Sequence, residues 1–215
     1  MMRTFSILLL SIFSIFLFPV NTYCNVYNPA ASVWKLISNV DGIEMFERWI
    51  NIDKDTKVRE RTGKMTLRCS ADEVLSLISN ASRNREWMSN VEEVKVIKRS
   101  NDSDWVVHTI LDVPWPFNKQ DMVSNYKVTR NIVTGEIIVL VLSEKTLLPK
   151  HKDFDRLDTF NAEWVIKPCG NNKAKVTFTT KSTRPPEYPS WVQDPVVRKM
   201  FMTNLKNLKT LLTTT

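Results

Sequence analysis

Few side chains in this sequence are suited to catalysis. The chain contains two histidines, His108 and His151, and only four glycines, with no Gly-x-Ser-x-Gly elbow, metal-binding histidine pair or phosphate-binding loop. Acyl transfer, phosphoryl transfer and zinc chemistry therefore lack their usual groups, and we expect no catalytic residue, no metal and no cofactor. His108 has outer-face parity in a predicted strand and is interpreted as a surface or interface residue rather than a base. His151 lies in a lysine-rich loop and is interpreted as solvated.

Side-chain alternation instead indicates a face lined by aromatic, aliphatic and a few neutral polar groups. Strands predicted at about 104–113, 119–130, 158–167 and 173–181, with a C-terminal helix, supply its members. The candidate ligand-binding residues on this inner face are Trp105, Val107, Thr109, Leu111, Gln120, Met122, Ser124, Tyr126, Phe160, Trp164, Phe178, Phe201 and Leu205. Two interpretations stay open: a pocket whose polar groups meet a ligand, or a filled core in which those groups bond one another.

Helices are predicted on both sides of the alternating region. Ser70 and Glu73 form a capping box ahead of an apolar run, which predicts a helix from 70 to 80. A second short helix follows, with Trp87 and Met88 packed back on the sheet. The long C-terminal helix carries a single apolar stripe that needs the sheet as its cover, formed by Val197, Phe201, Leu205, Leu208 and Leu212.

The remaining segments complete an antiparallel meander. Further strands are predicted at 43–50, 57–69, about 92–99 and 135–144, and the alternation in 57–69 is typical of a half-exposed strand. Residues 32–38 are predicted to form a short helix that ends near Asp41-Gly42.

Two loops are distinctive. In the corner "VPWPF", Pro114 and Pro116 end one strand, and Trp115 is expected to pack at the rim of the sheet. The segment "EKTLLPKHKDFD", residues 144–155, is too long for a hairpin turn. Its predicted role is membrane contact, in which leucines insert shallowly and lysines approach anionic lipid, through Lys145, Leu147, Leu148 and Lys150.

The first residues resemble an export signal. Arg3 precedes an uncharged apolar run of about 14 residues, short for a membrane span of roughly 20, so residues 1–24 are predicted to be a signal peptide and the protein to be periplasmic or secreted. A permanent anchor is an alternative, and so is lipid attachment at Cys24, although the bulky Tyr23 precedes that cysteine. After cleavage Cys69 and Cys169 remain, and their pairing is left open.

Length and charge narrow the class further. The chain of 215 residues is 43% hydrophobic and has no internal repeat, which indicates one domain, placed at residues 32–213. Loss of Arg3 with the signal peptide changes the net charge from +7 to +6, so the mature protein stays basic. A basic exported protein favours transient contact with anionic membrane surfaces over nucleic acid, and we expect a monomer.

Three stretches resemble the START (StAR-related lipid transfer) family, in the form of an exported, bacterial-type member. They are "VPWPFNKQDMV", "FNAEWVIKPCGNNKAKVTFTT" and "RPPEYPSWVQDPVVRKMFMTNLKNLKTLL", in the family's order and spacing. The resemblance implies an α+β helix-grip fold, a curved antiparallel sheet wrapped around a long C-terminal helix with an internal hydrophobic cavity. It also implies that one lipid or other hydrophobic small molecule is sequestered or transferred between membranes without chemistry.

One position departs from the family pattern. The family's Arg-Asp pair is represented by Gln120 and Asp121, and the inner residues of the neighbouring predicted strand include no acid. Loss of both charges together favours a neutral or weakly polar ligand. Two other functions remain open: a cyclase or hydratase of the wider superfamily using Tyr126 with Gln120 for proton transfer, or an envelope interaction module without a ligand.

Overall fold

The described residues, 32–183 and 185–213 of this computed structural model, form ten strands, three α-helices and one short 3-10 turn; the predicted signal peptide lies outside them. The elements are β1 (Lys35–Val40), β2 (Ile43–Asn51), β3 (Lys57–Leu67), α1 (Ala71–Ser79), the 3-10 turn (Ala81–Arg83), α2 (Asn84–Trp87), β4 (Val91–Asn101), β5 (Asp104–Leu111), β6 (Gln120–Arg130), β7 (Ile137–Ser143), β8 (Asp155–Arg156), β9 (Phe160–Pro168), β10 (Ala174–Ser182) and α3 (Ser190–Thr213). Within these ranges, no helix combines the length and the apolar character that a membrane span needs.

The strands make a single sheet in the order β1-β2-β3-β10-β9-β7-β6-β5-β4, and the short β8 pairs with the start of β6. Each pair along this path is antiparallel, whereas β8 runs parallel to β6. From β4 to β10 neighbours in the chain are mostly neighbours in the sheet, which confirms the predicted meander. The sheet is completed when β10 pairs with β3, a contact between distant parts of the chain.

The predicted N-terminal helix at 32–38 is wrong. Lys35–Val40 is a strand that pairs antiparallel with β2 through a tight hairpin. Asp41 and Gly42 both have positive φ, 56° and 69°, as a two-residue hairpin turn requires. The Asp-Gly pair is therefore a strand reversal, and pairing with β2 satisfies the backbone groups that a helix would have bonded internally.

The helix that follows β3 begins as predicted. Glu73 N–H donates to Ser70 Oγ at 3.2 Å, and Ser70 N–H donates to Glu73 Oε2 at 2.7 Å. This reciprocal cap lets α1 start abruptly after the strand, with Val74, Leu77 and Ile78 buried against the sheet. Trp87 of α2 is buried in the same core and Met88 packs against it, as predicted.

Helix α3 lies across the concave face of the sheet, as the helix-grip fold requires. Phe201, Leu205 and Leu208 are buried at 6%, 1% and 0% exposure. Each such side chain contributes about 1.5–3 kcal/mol when it leaves water. The helix approaches closely because β3 has Gly63 below it, where an added Cβ would lie 2.3 Å from Leu205 Cδ1.

Gly63→Ala is expected to lower the free energy of unfolding by about 1–3 kcal/mol, because the new methyl group overpacks the contact with Leu205 and Phe201. Urea denaturation measures this change. Lys64→Ala, the exposed neighbour on β3, is the control and is expected to have little effect. An unchanged or raised stability in Gly63→Ala would show that α3 does not lie this close to β3.

Candidate functional site

An elongated cavity of about 310 Å³ lies between α3 and the sheet. Its α3 wall is the single stripe Gln193, Val197, Met200, Phe201 and Asn204. The ends of this stripe, Gln193 and Asn204, are eleven positions apart, which corresponds to about 16 Å along the helix axis. The cavity is thus a channel that follows the closing helix.

Aromatic rings form much of the sheet side of the cavity. The Trp164 and Phe178 rings stack with centroids 3.9 Å apart, and Phe178 stacks on Phe201 at 5.5 Å. Trp87 meets Trp164 edge-on at 5.8 Å. Because these rings belong to β9, β10, α2 and α3, the cavity wall depends on the correct seating of both helices.

Eight of the candidate ligand-binding residues lie on the cavity wall: Leu111, Gln120, Met122, Tyr126, Phe160, Trp164, Phe178 and Phe201. Inner-face parity therefore brings residues from β5, β6, β9, β10 and α3 to one space. Whether they contact a ligand stays a prediction.

The other five candidates do not line the cavity. Trp105 is 1% exposed and stacks on Tyr126 with ring centroids 5.3 Å apart, so Tyr126 separates it from the open space. Leu205 fills the gap above Gly63. The remaining three are also buried: Val107, Thr109 and Ser124. Parity identifies the inner face, but it does not show which part of that face is filled.

One end of the cavity reaches solvent. The exposed wall residues are Lys181, Pro185, Pro186 and Glu187. Beside them Phe117 contacts Tyr188 edge-on at 5.4 Å, which joins the corner after β5 to the segment before α3.

Trp115 differs from its prediction. Its side chain does not pack at the rim of the sheet but is 79% exposed, and Phe117 provides the packing contact of this corner instead. Trp191, at the start of α3, is similarly exposed at 80%.

A buried ionic network borders the solvent end and was not predicted. Arg61 donates from Nε to Glu47 Oε1 and from Nη2 to Asp194 Oδ1, both at 2.8 Å, and Arg59 Nη2 donates to Asp194 Oδ2 at 2.7 Å. Arg198 adds a hydrogen bond to Glu47 Oε2 at 2.6 Å. These contacts connect β2 and β3 to the first turns of α3.

Within the network, hydrogen bonds and opposite charges act on the pKa of each group in the direction opposite to burial. Burial by itself raises the pKa of Glu47, but hydrogen bonding from Arg198 and the charges of Arg61, Arg198 and Arg59 outweigh it and lower that pKa. Burial lowers the pKa of Arg61, and Glu47 and Asp194 offset this only in part. Glu47 is therefore a stable anion between guanidinium groups.

This network was not predicted because residues 57–69 were interpreted as a half-exposed strand. Arg59 and Arg61 share parity with Gly63 beneath α3, so they point to the inner face, and both line the cavity. The sequence did contain a signal for this network. Arg59 and Arg61 have the same parity, and Asp194 and Arg198 are four residues apart on α3.

Asp121 is the centre of a second polar cluster, on the outer face. It is 0% exposed, and its carboxylate accepts from Arg156 Nε at 2.8 Å and from His108 Nε2 at 2.9 Å. Arg156 also donates to the carbonyl oxygens of Leu148 and Pro149, at 3.2 and 3.0 Å. His108 is thus a part-buried residue paired with Asp121, rather than a free surface residue. Arg156 connects the 144–155 loop to β6 through these hydrogen bonds.

Burial by itself raises the pKa of Asp121, but the hydrogen bonds from Arg156 and His108 prevail and hold it below its ordinary value of 3.8. Stability from this carboxylate is therefore fully present above about pH 4 and is lost as the pH falls through the lowered folded-state pKa.

Asp121→Asn is expected to lower the free energy of unfolding by about 3–5 kcal/mol at pH 7, because Arg156 keeps its buried charge without a counter-ion. Hydrogen exchange should increase most in residues 144–157. The difference from the parent should shrink as the pH is lowered below about 4, because the parent carboxylate is then protonated. Equal stability at neutral pH, or a difference that grows in acid, would contradict this assignment.

The predicted membrane-contact residues do not line the cavity. Leu147 is 42% exposed and Lys145 is exposed, while Leu148 is half-buried and Lys150 Nζ bonds Asp158 Oδ2 at 2.8 Å. The cavity wall includes Leu157, which lies two residues after this segment, but none of residues 144–155.

The two cysteines that follow residues 1–24 are unpaired. Cys69 is buried and Cys169 is exposed. Burial, with a smaller contribution from Glu73, raises the pKa of Cys69 to about 11, so it remains a thiol at neutral pH.

The fold is similar to that of solved lipid-transfer proteins. A family model described as polyketide cyclase / dehydrase and lipid transport matches residues 67–209, and the chain belongs to this family. The crystal structure of a STAR-related lipid transfer protein from Xanthomonas axonopodis is similar, with a TM-score of 0.73 and 25% identity, covering 83% of this chain and 98% of that one.

Two further proteins are similar to this chain. Human StAR-related lipid transfer protein 5 has a TM-score of 0.71 and 17% identity, covering 83% of this chain and 86% of that one, which shows a shared fold. An uncharacterized protein of Pseudomonas aeruginosa is 22% identical over 182 residues, 85% of this chain and 88% of that protein. The chain is a START-type helix-grip protein, a fold that supports binding of a hydrophobic ligand.

Proposed function

We propose that this protein binds one hydrophobic small molecule in the cavity beneath α3 and sequesters it or carries it between membranes, without chemistry on the ligand. The observation that supports this most directly is the channel itself, walled by Trp164, Phe178 and Phe201 and reaching solvent at one end. A space of this kind can exclude water from an apolar molecule and still release it.

The size of the cavity favours a compact or single-chain ligand. Its volume of about 310 Å³ is at the lower end of the range of about 300–1,000 Å³ for ligand pockets. Met88, Met122 and Met200 lie on its wall. Their unbranched side chains can change rotamer, so the cavity can adapt to ligands of somewhat different shape.

Binding without chemistry accounts for the polar groups of the wall better than the cyclase alternative does. Burial raises the pKa of Tyr126 to about 12, so its phenol stays protonated at neutral pH and is unsuited to act as a base. Among the described wall residues the one carboxylate, Glu187, is exposed at the solvent end, and no histidine is present.

Val197→Trp is expected to weaken ligand binding at least about tenfold, because the indole fills the channel without removing any of its wall. Val196→Trp, the adjacent and equally half-buried position on α3, does not line the cavity and serves as the matched control. Displacement of a fluorescent fatty-acid probe measures both variants. Equal displacement by Val197→Trp and the parent would place the ligand elsewhere.

The proposal includes export by residues 1–24 and transient contact with an anionic membrane. The basic net charge, +7 for the whole chain and +6 without residues 1–24, supports attraction to such a surface, and the exposed Leu147 beside Lys145 provides an apolar contact. Lys150 contributes less than predicted, because its charge is compensated by Asp158. Trp115 offers an alternative contact beside the solvent end of the cavity.

Leu147→Asp is expected to slow fatty-acid transfer between vesicles of phosphatidylcholine and phosphatidylglycerol while equilibrium binding stays unchanged, because the new charge opposes insertion. Ile132→Asp, at an exposed residue of the β6–β7 turn, is the matched control. Transfer at the parental rate in Leu147→Asp would contradict contact through this loop. If Trp115→Asp alone slowed transfer, the contact would lie at the corner after β5.

A further inference from the structure

The charges at the solvent end of the cavity do not balance. Three guanidinium groups, from Arg59, Arg61 and Arg198, surround two carboxylates, those of Glu47 and Asp194, which leaves one positive charge. The other charged groups on the described wall, Lys181 and Glu187, have opposite signs and cancel in this sum. The network as a whole therefore carries a net charge of +1, and two of its three guanidinium groups, those of Arg59 and Arg61, line the cavity.

Arg59 has a hydrogen-bond donor that no described residue binds. It lines the cavity, and its Nε is buried without a hydrogen-bond partner among the described residues. Its Nη1 lies no closer than 3.7 Å to Glu47 Oε2, whereas Nη2 is engaged by Asp194. A buried donor without a partner is costly, and the cost is removed when a ligand oxygen accepts its hydrogen bond.

The position of this guanidinium is constrained before any ligand enters. Its central carbon lies 3.8 Å from the centre of the Trp49 ring, and its Nη2 donates to Asp194 of α3. Arg61, 9% exposed, is held beside it by Glu47 and Asp194. Two oriented guanidinium groups at one end of an apolar channel are a geometry suited to a carboxylate.

The opposite end of the channel has no comparable charge. There Trp87 lies near the second half of α3, where Asn207 Nδ2 donates to its carbonyl oxygen at 3.3 Å. Its Nε1 is also a buried donor without a partner in the described part of the chain, but it is neutral and is packed against Trp164. The channel is thus cationic at one end and aromatic at the other.

We propose that the ligand is a linear monocarboxylic acid, bound with its carboxylate at Arg59 and Arg61 and its chain along α3 toward Trp87. This inference rests on the proposed function and names its ligand class. It replaces the neutral ligand that Gln120 led us to expect, because the cationic groups come from β3 and not from the start of β6.

Decanoic acid and decanol are matched probes, since they differ only in the head group. A channel of about 310 Å³ has room for about ten water-sized groups, at about 30 Å³ each. Isothermal titration at pH 8 is expected to show decanoic acid binding about tenfold or more tightly than decanol, as charge-assisted hydrogen bonds predict. Arg59→Met should remove this preference while decanol binding is retained.

The control is Arg48→Met, on the opposite face of the same sheet. Arg48 also stacks on a tryptophan, Trp34, at 4.4 Å and also pairs with a carboxylate, Glu60, at 2.6 Å. This variant should keep the preference for the acid. If Arg59→Met does not fold, Arg59→Lys provides the test, because it keeps the charge but has no Nε donor in that position.

Three outcomes would overturn the proposal in distinguishable ways. Equal binding of acid and alcohol to the parent would contradict the carboxylate site and leave the proposed function intact. A preference that survives Arg59→Met but is lost in Trp87→Phe would place the head group at the other end. Failure of the parent to bind either probe would contradict hydrophobic ligand binding itself.

Discussion

The seating of α3 on the concave face of the sheet is the constraint on which the rest of the molecule depends. Gly63 lets the helix approach β3, and Phe201, Leu205 and Leu208 fill the space that this approach creates. Toward the start of the helix the packing is looser, and the channel occupies that region. The same helix therefore closes the hydrophobic core at one end and covers a cavity at the other.

The ionic network explains why the looser end does not detach. Asp194 and Arg198 connect the first turns of α3 to Glu47, Arg59 and Arg61 through hydrogen bonds of 2.6–3.1 Å. Buried ion pairs contribute little net stability compared with apolar packing, but breaking one is costly because a charge is left uncompensated. Such a network holds α3 in one register over the cavity, and it leaves a net positive charge beside the cavity wall.

The sequence predicted much of the fold, because the signals for it are local. The capping box at Ser70 and Glu73 and the period-two alternation of β5, β6, β9 and β10 both act between near neighbours. The error at 32–38 arose at a segment whose strand state depends on pairing with β2 across a tight turn.

The candidate site was predictable only in part. Parity placed Gln120, Met122 and Tyr126 on the cavity wall, but it could not separate them from Ser124, which has the same parity and lies in the filled core. Arg59 and Arg61 were missed because their counter-ions lie on other elements, Glu47 on β2 and Asp194 on α3, and Asp194 is far away in the chain. Void space and long-range charge pairing are properties of the assembled fold, and no periodicity in the sequence encodes them.

The most direct test of the account is the identity of the molecule that the protein carries. Mass spectrometry of an organic extract from protein purified under native conditions should recover close to one equivalent of a single-chain carboxylic acid per chain. Recovery of one equivalent of a two-chain phospholipid or a sterol would contradict the size and charge that the cavity indicates. Protein that carries no ligand and takes up none from added fatty acid would contradict the central claim.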